Sequence, residues 1–254
     1  MLHFPEYTMK IRHLITSSIA LIALTASVRA QTPFVRASGD IAISTKGNLD
    51  TGAGVNLSAG YILGSGQNHE LSLSLGTIIW AETDVDSRRY NESRNTTTVR
   101  IGHQYFEIPN DGKVALSDGK LKLSDGTTYN TDYQPAIDVF PVMANYRCYL
   151  GDVNGRVRFY LGGGVGYANV RARSELWQSG NSFHHHHDEE TNSHWGFAWN
   201  GTAGVTVNLT RSLKLDFSYA YQEIDGGTFE STHMIYKLDS IKTSMLRGGV
   251  SWQF

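Results

Sequence analysis

His184, His185, His186 and His187 run directly into Asp188, Glu189 and Glu190, with His194 close behind. Imidazole and carboxylate are ligands for Zn²⁺, Cu²⁺ or Ni²⁺, and a loop can bring two or three histidines to one ion. Consecutive histidines point in different directions, however, and no C-x-x-C or H-E-x-x-H spacing fixes a geometry. A solvated polar loop is the expected reading, with a divalent metal at His184, His185, His186, His187 and His194 as the alternative. Hydrolytic or transfer chemistry would need Ser, His and acidic side chains acting together. His103, Ser174, Glu175, Ser182 and His194 are available, but no two have a spacing that requires them to meet on one strand face. There is no nucleophile elbow, catalytic carboxylate pair or phosphate-binding loop. No catalytic residue and no cofactor is expected.

A third set of charged residues, Glu70, Arg147, Arg158, Lys214, Asp216 and Arg247, falls on one parity of segments in which apolar and polar residues alternate. If that parity faces a confined interior, the charges must pair, because an isolated buried charge is costly. The expectation is a structural plug of salt bridges, and the alternative is a gated path for ions or protons.

The elements that would position these residues follow from pattern and composition. The chain has 254 residues, 26 Gly, 13 Tyr, 5 Pro and 18% charged residues, with a mean hydropathy of -0.30. This suits a sheet protein and neither a helical membrane protein nor a disordered chain. A net charge of -2 gives no basis for binding nucleic acid. Cys148 is the single cysteine, so no internal disulfide framework exists. At the start, Lys10, Arg12 and His13 lead into an apolar stretch from Leu14 to Val28, and Val28-Arg29-Ala30 has the small-residue form of an export cleavage site. The stretch is shorter than the roughly 20 apolar residues a spanning helix needs. Residues 1–30 are therefore expected to be a signal peptide, with residues 31–254 as one exported domain.

Beyond Gln31 the apolar residues recur with a period of two. Val55, Leu57, Ala59 and Tyr61 alternate with Asn56, Ser58 and Gly60; Leu71, Leu73 and Leu75 alternate with Ser72, Ser74 and Gly76. A soluble sandwich would also alternate. Four features select a membrane instead. The segments exceed the usual length of a globular strand. Their polar faces are rich in Gly, Ser and Thr, as a narrow lumen requires. Aromatics such as Tyr61, Phe197, Trp199, Tyr219, Tyr221, Trp252 and Phe254 gather towards segment ends. Connections alternate short (64–68, 151–155, 210–212) and long (82–95, 172–194, 225–239). Strands are expected near 34–45, 52–63, 69–81, 136–150, 156–171, 195–208, 212–224 and 241–254. The region 96–123 also holds extended pieces, Thr97-Val99-Ile101 and Val114-Leu116. Eight crossings with a hairpin above the membrane are expected, ten being the alternative, because Ser117-Asp118-Gly119-Lys120 breaks the second arm and shifts its apolar parity.

Gly60-Tyr61, Asn145-Tyr146-Arg147, the run Tyr160 to Tyr167 and the terminal Val250-Ser251-Trp252-Gln253-Phe254 together give a chain that resembles the small outer-membrane β-barrel domain family of OmpA/OmpX-type and porin-like proteins. The resemblance covers roughly residues 34–254 in pattern. It implies an all-β, antiparallel up-and-down transmembrane barrel in the bacterial outer membrane, surrounded by lipid and lipopolysaccharide. It further implies that Val250, Trp252 and Phe254 form a signal read by the barrel-assembly machinery. The function it implies is non-enzymatic display of surface loops, for envelope integrity, adhesion or surface binding. A narrow channel or carrier for small or hydrophobic solutes is the alternative, and a lipid A-modifying enzyme the second alternative.

Overall fold

A computed structural model describes residues 31–46, 51–64, 66–80, 87–91, 96–101, 104–109, 114–117, 120–122, 126–130, 136–179, 185–230 and 234–254. The expected signal peptide lies outside these residues. The described chain forms fourteen strands: β1 (Gln31–Lys46), β2 (Thr51–Leu63), β3 (His69–Trp80), β4 (Ser87–Asn91), β5 (Thr96–Ile101), β6 (Gln104–Pro109), β7 (Val114–Ser117), β8 (Lys120–Lys122), β9 (Thr128–Asn130), β10 (Ala136–Leu150), β11 (Val157–Ser179), β12 (His185–Asn208), β13 (Leu213–Glu230) and β14 (Met234–Gln253).

Eight of them close into an antiparallel barrel. β1 pairs with β2 on one side and with β14 on the other, and the ring continues through β3, β10, β11, β12 and β13. Following the pairing around from Phe34 leads through Gly60, Ser72, Asn145, Gly164, Asn200, Gln222 and Thr243 and returns to β1 at Ser44. The trace thus closes ten residues along the strand from its start (44 − 34), and this stagger tilts the strands against the barrel axis. Adjacent strands are joined at one end by turns at 64–68, 151–156 and 209–212, where Gly64 and Gly151 take φ values of +85° and +93° that side-chain-bearing residues adopt at a cost. The expected eight crossings are found.

The period-two pattern sorts residues to the two faces of the wall. Leu57 is 65% exposed, Leu73 61% and Phe159 63%, and they belong to a belt of outward-facing apolar residues contributed by all eight strands. A soluble protein does not expose a continuous apolar surface of this extent, whereas lipid covers it. Tyr61, Trp252 and Phe254 lie outward near the short-turn end, and Tyr167, Trp195 and Trp199 outward towards the other, where aromatic girdles belong.

Two boundaries differ from expectation. β11 and β12 remain paired from Val157↔Val207 up to Ser179↔His185, so most of the expected loop 172–194 is a strand ladder. Likewise β13 and β14 stay paired to Glu230↔Ile235. Above the membrane both faces of a ladder meet water or protein, so the apolar alternation that marks a crossing is absent there. The segments of region 96–123 are extended and outside the barrel, as expected for eight crossings, but they do not pair with one another as one hairpin. β5 pairs with β6, while β7 pairs with β8 and, in parallel, with the top of β14.

Candidate functional site

The inward parity carries the charged residues singled out in the sequence, and the barrel stagger decides which of them meet. Near the short-turn end Glu70, on β3, is fully buried and faces Arg36, which reaches it from β1 across the small residues of β2. Arg36 donates from Nη1 to Glu70 Oε1 at 2.9 Å and from Nη2 to Oε2 at 2.8 Å. This is a bidentate pair, the strongest arrangement between these groups. The Tyr149 hydroxyl donates to Glu70 Oε2 at 2.6 Å, and Arg147 Nε stands 3.6 Å from Oε1. On the opposite wall Asp216 of β13, also fully buried, accepts from Arg147 Nη1 at 3.0 Å, from Tyr160 Oη at 2.9 Å and from Thr206 Oγ1 at 3.2 Å. Arg147 therefore spans the lumen between two carboxylates, with its guanidinium 4.4 Å from the Tyr160 ring centroid. Room for that ring comes from Gly204, where a Cβ would lie 2.5 Å from Tyr160 Oη.

Of the six expected lumen charges, Glu70, Arg147 and Asp216 come together in this network. Arg158 turns instead to the adjacent short turn, donating to the Gln67 carbonyl at 3.1 Å and to Asn68 Oδ1 at 2.8 Å. Lys214 is buried at the same end and makes none of these contacts. Arg247 forms a separate pair higher in the barrel, donating from Nε and Nη2 to Asp40 at 2.6 and 2.8 Å. Sequence reasoning missed Arg36, Asp40, Tyr149 and Tyr160. All four sit on the inward parity of segments already recognised as strands, and that parity was the available signal.

Above the Arg247–Asp40 pair the interior changes character. Trp80, Ile137, Val139, Ile224, Ile241 and Met245 are buried there and belong to one apolar cluster. Between the two layers, a void of about 10 Å³ bounded by Asp40, Asn56, Asn145, Asn200 and Arg247 offers space for one water at most. Among the described residues the lumen thus holds two layers, charge pairs below and hydrocarbon above.

The remaining candidates lie elsewhere. His185, His186 and His187 form the outermost residues of β12, paired in register with Ser179, Gln178 and Trp177. His194 is seven positions below His187 on the same extended strand, about 23 Å along at the strand rise, so it is not brought to the His185–His187 segment. Among the described side chains, no group of three or more His, Cys, Asp or Glu is gathered to hold a metal ion. Ser174 and Glu175 lie in the upper part of β11, while His103, Ser182 and His184 fall outside the described residues. Val250 and Trp252 face outward on the closing strand, opposite Ala37 and Val35 of β1. The Phe254 amide donates to the Pro33 carbonyl at 3.0 Å, and its ring is 72% exposed at the membrane rim.

A match to a family of known proteins agrees with this architecture. The family model described as outer membrane protein beta-barrel domain matches residues 16–254. No curated protein sequence matches the chain. Among solved structures, Neisserial surface protein A is similar at 14% identity and a TM-score of 0.46, with 88% of this chain and 97% of that chain covered. A major outer membrane protein from Thermus thermophilus is similar at 12% identity and a TM-score of 0.47, covering 87% of this chain and 99% of that one. The Yersinia pestis attachment invasion locus protein, solved in complex with the heparin analogue sucrose octasulfate, is similar at 13% identity and a TM-score of 0.40, covering 88% and 97%.

Proposed function

Because the chain belongs to the outer membrane protein β-barrel domain family, we propose that it works in the bacterial outer membrane as a sealed, non-enzymatic frame that holds its outer strand extensions above the lipid for envelope integrity, adhesion or surface binding. The observation that carries this reading is the two-layered lumen. A solute entering from the short-turn end meets Arg36, Glu70, Arg147 and Asp216 bonded across the whole section. Breaking that layer would still leave Trp80, Ile137 and Ile241 in its way, and an eight-stranded barrel has little interior beyond its own side chains. The material invested outside the membrane supports the same reading, since β4 to β9 and the upper ends of β11 to β14 contribute nothing to crossing it.

Planar-bilayer recording tests the seal. The purified barrel is expected to give no ohmic current steps, and Glu70→Ala is expected to remain silent as well, because the apolar layer is untouched. Regular conductance steps from the unmodified protein would overturn the proposal in favour of a channel. On cells, replacing residues 81–135 with a short turn is expected to lower surface adhesion at unchanged membrane level. The mass of lipid A is expected to stay the same on expression; a change would indicate an enzyme.

A further inference from the structure

The charges buried at the short-turn end do not balance. Four cations are held there, Arg36, Arg147, Arg158 and Lys214, against two carboxylates, Glu70 and Asp216. Both carboxylates are taken up by Arg36 and Arg147. Arg158 is left with neutral acceptors in the adjacent turn, the Gln67 carbonyl and Asn68 Oδ1, and its buried Nε has none. Lys214, with 7% of its surface exposed, makes no hydrogen bond or ion pair with any described residue. The exposed charges of the adjoining turns, Asp152, Arg156 and Arg211, include a single acid. A charge held out of water without a partner is costly, so two unmatched cations mark a place where an anion would be stabilising.

The strand register sets the free donors side by side on the inward face. Asn208 stands directly opposite Lys214. On the other side Lys214 faces Ser251, so Gln253, two positions further along β14, is its diagonal neighbour. Arg158 faces Thr206 and is therefore diagonal to Asn208. Direct and diagonal neighbours lie about 4.5–8 Å apart, within reach of long side chains. Gln253 Nε2, like Arg158 Nε, is buried without an acceptor. We propose that Lys214, flanked by Arg158 and Gln253, forms a site for a phosphate group at the mouth of the lumen. A phosphate monoester carries about 1.5–2 negative charges at neutral pH and three strong acceptor oxygens, which answers both unmatched cations and their free N–H donors; a carboxylate would neutralise only one. Short turns face the periplasm in barrels of this kind, so the phosphate comes from that side, either as a free anion or on a lipid headgroup. The site uses none of the hydrogen bonds of the Glu70–Asp216 layer and is independent of whether the lumen is sealed.

The test is titration of inorganic phosphate into the mature barrel folded in an alkyl maltoside, read by the melting temperature, with sodium chloride at matched ionic strength as the control. Phosphate is expected to raise the Tm saturably, as a ligand of the folded state does, and chloride is not. Lys214→Met removes the charge but keeps a long side chain. It is expected to melt higher than wild type without phosphate, since an uncompensated buried charge is gone. It is also expected to shift the phosphate response to at least about tenfold higher concentration, the loss of one hydrogen bond to a charged group. Arg211→Gln, at an exposed turn position, is expected to keep the wild-type response. A rise reproduced by chloride, a rise undiminished in Lys214→Met, or no rise at all would overturn the proposal. So would a Lys214→Met barrel that melts below wild type in phosphate-free buffer, because the ammonium would then already be compensated. Vesicles separate the two sources. In phosphatidylcholine without free phosphate, added phosphatidic acid reproduces the Lys214-dependent rise where the headgroup reaches the mouth, and leaves the Tm unchanged where only the free anion enters.

Discussion

Glu70 offers the most direct test of what holds the barrel interior together. In Glu70→Ala the Arg36 guanidinium loses both halves of a bidentate pair, Tyr149 loses the acceptor 2.6 Å away, and Arg147 loses one of its two carboxylates. Two guanidiniums then face Asp216 alone, with Arg36 Nε 4.0 Å from it, in a section closed to bulk water. Removing one partner of a buried ion pair costs about 3–5 kcal/mol, because the surviving charge remains desolvated. Glu70→Gln keeps an acceptor oxygen but no charge, and its loss is expected to be about 2 kcal/mol, close to that of one hydrogen bond to a charged group. Joint replacement of Arg36 and Glu70 by Met removes the charge and its desolvation together, and is expected to return most of the lost stability. Reversible urea unfolding in lipid vesicles, followed by tryptophan fluorescence, measures all three. If Glu70→Ala loses less than about 1 kcal/mol, the size of a surface pair, or if the double replacement is worse than the single one, the network does not carry the energy assigned to it.

Leu73→Arg, which puts a cation into the lipid-facing belt, is expected to cost roughly 2–4 kcal/mol; unfolding free energies no different for Leu73→Arg and Leu73→Ala would refute the assignment of faces. Gly204→Val would press a side chain against Tyr160 and the Phe217 carbonyl, a clash expected to cost about 1–3 kcal/mol in the same assay and to displace the Tyr160 hydroxyl from Asp216. Phe254→Ala is expected to lower the yield of folded protein in the outer membrane of cells while detergent-refolded material keeps most of its melting temperature; export and insertion at the wild-type level would mean that the terminal ring is not read during assembly.

How much of this was legible depended on what each face of a strand touches. Lipid demands an unbroken apolar parity, so Leu57, Leu73, Phe217 and Leu246 announced the crossings, and with them the inward parity of Glu70, Arg147 and Asp216. Pairing was not legible, because Arg36 reaches Glu70 across an intervening strand and Arg147 reaches Asp216 across the lumen. Such meetings depend on the stagger accumulated around eight strands, and no single segment contains it. The upper ladders were invisible for a different reason. Arg171 to Glu175 and Asp188 to Ser193 lie outside the lipid, so nothing imposes an apolar period on them.

The apolar layer of the lumen was recorded in the sequence all along, in a form that a search for alternation passes over. Ile78-Ile79-Trp80 and the run from Ile137 to Met143 carry apolar residues on both parities. In a barrel wall one parity must face lipid, so the other must bury its hydrocarbon inside, and Ile78, Trp80, Ile137 and Val139 are buried. Loss of alternation into continuous hydrophobicity, on strands that cross the membrane, is thus itself the trace of an apolar layer inside the wall. It separates the upper half of this barrel from the Gly-, Ser- and charge-bearing half beneath, where Gly162 and Gly204 leave room for the long side chains of Arg147 and Tyr160.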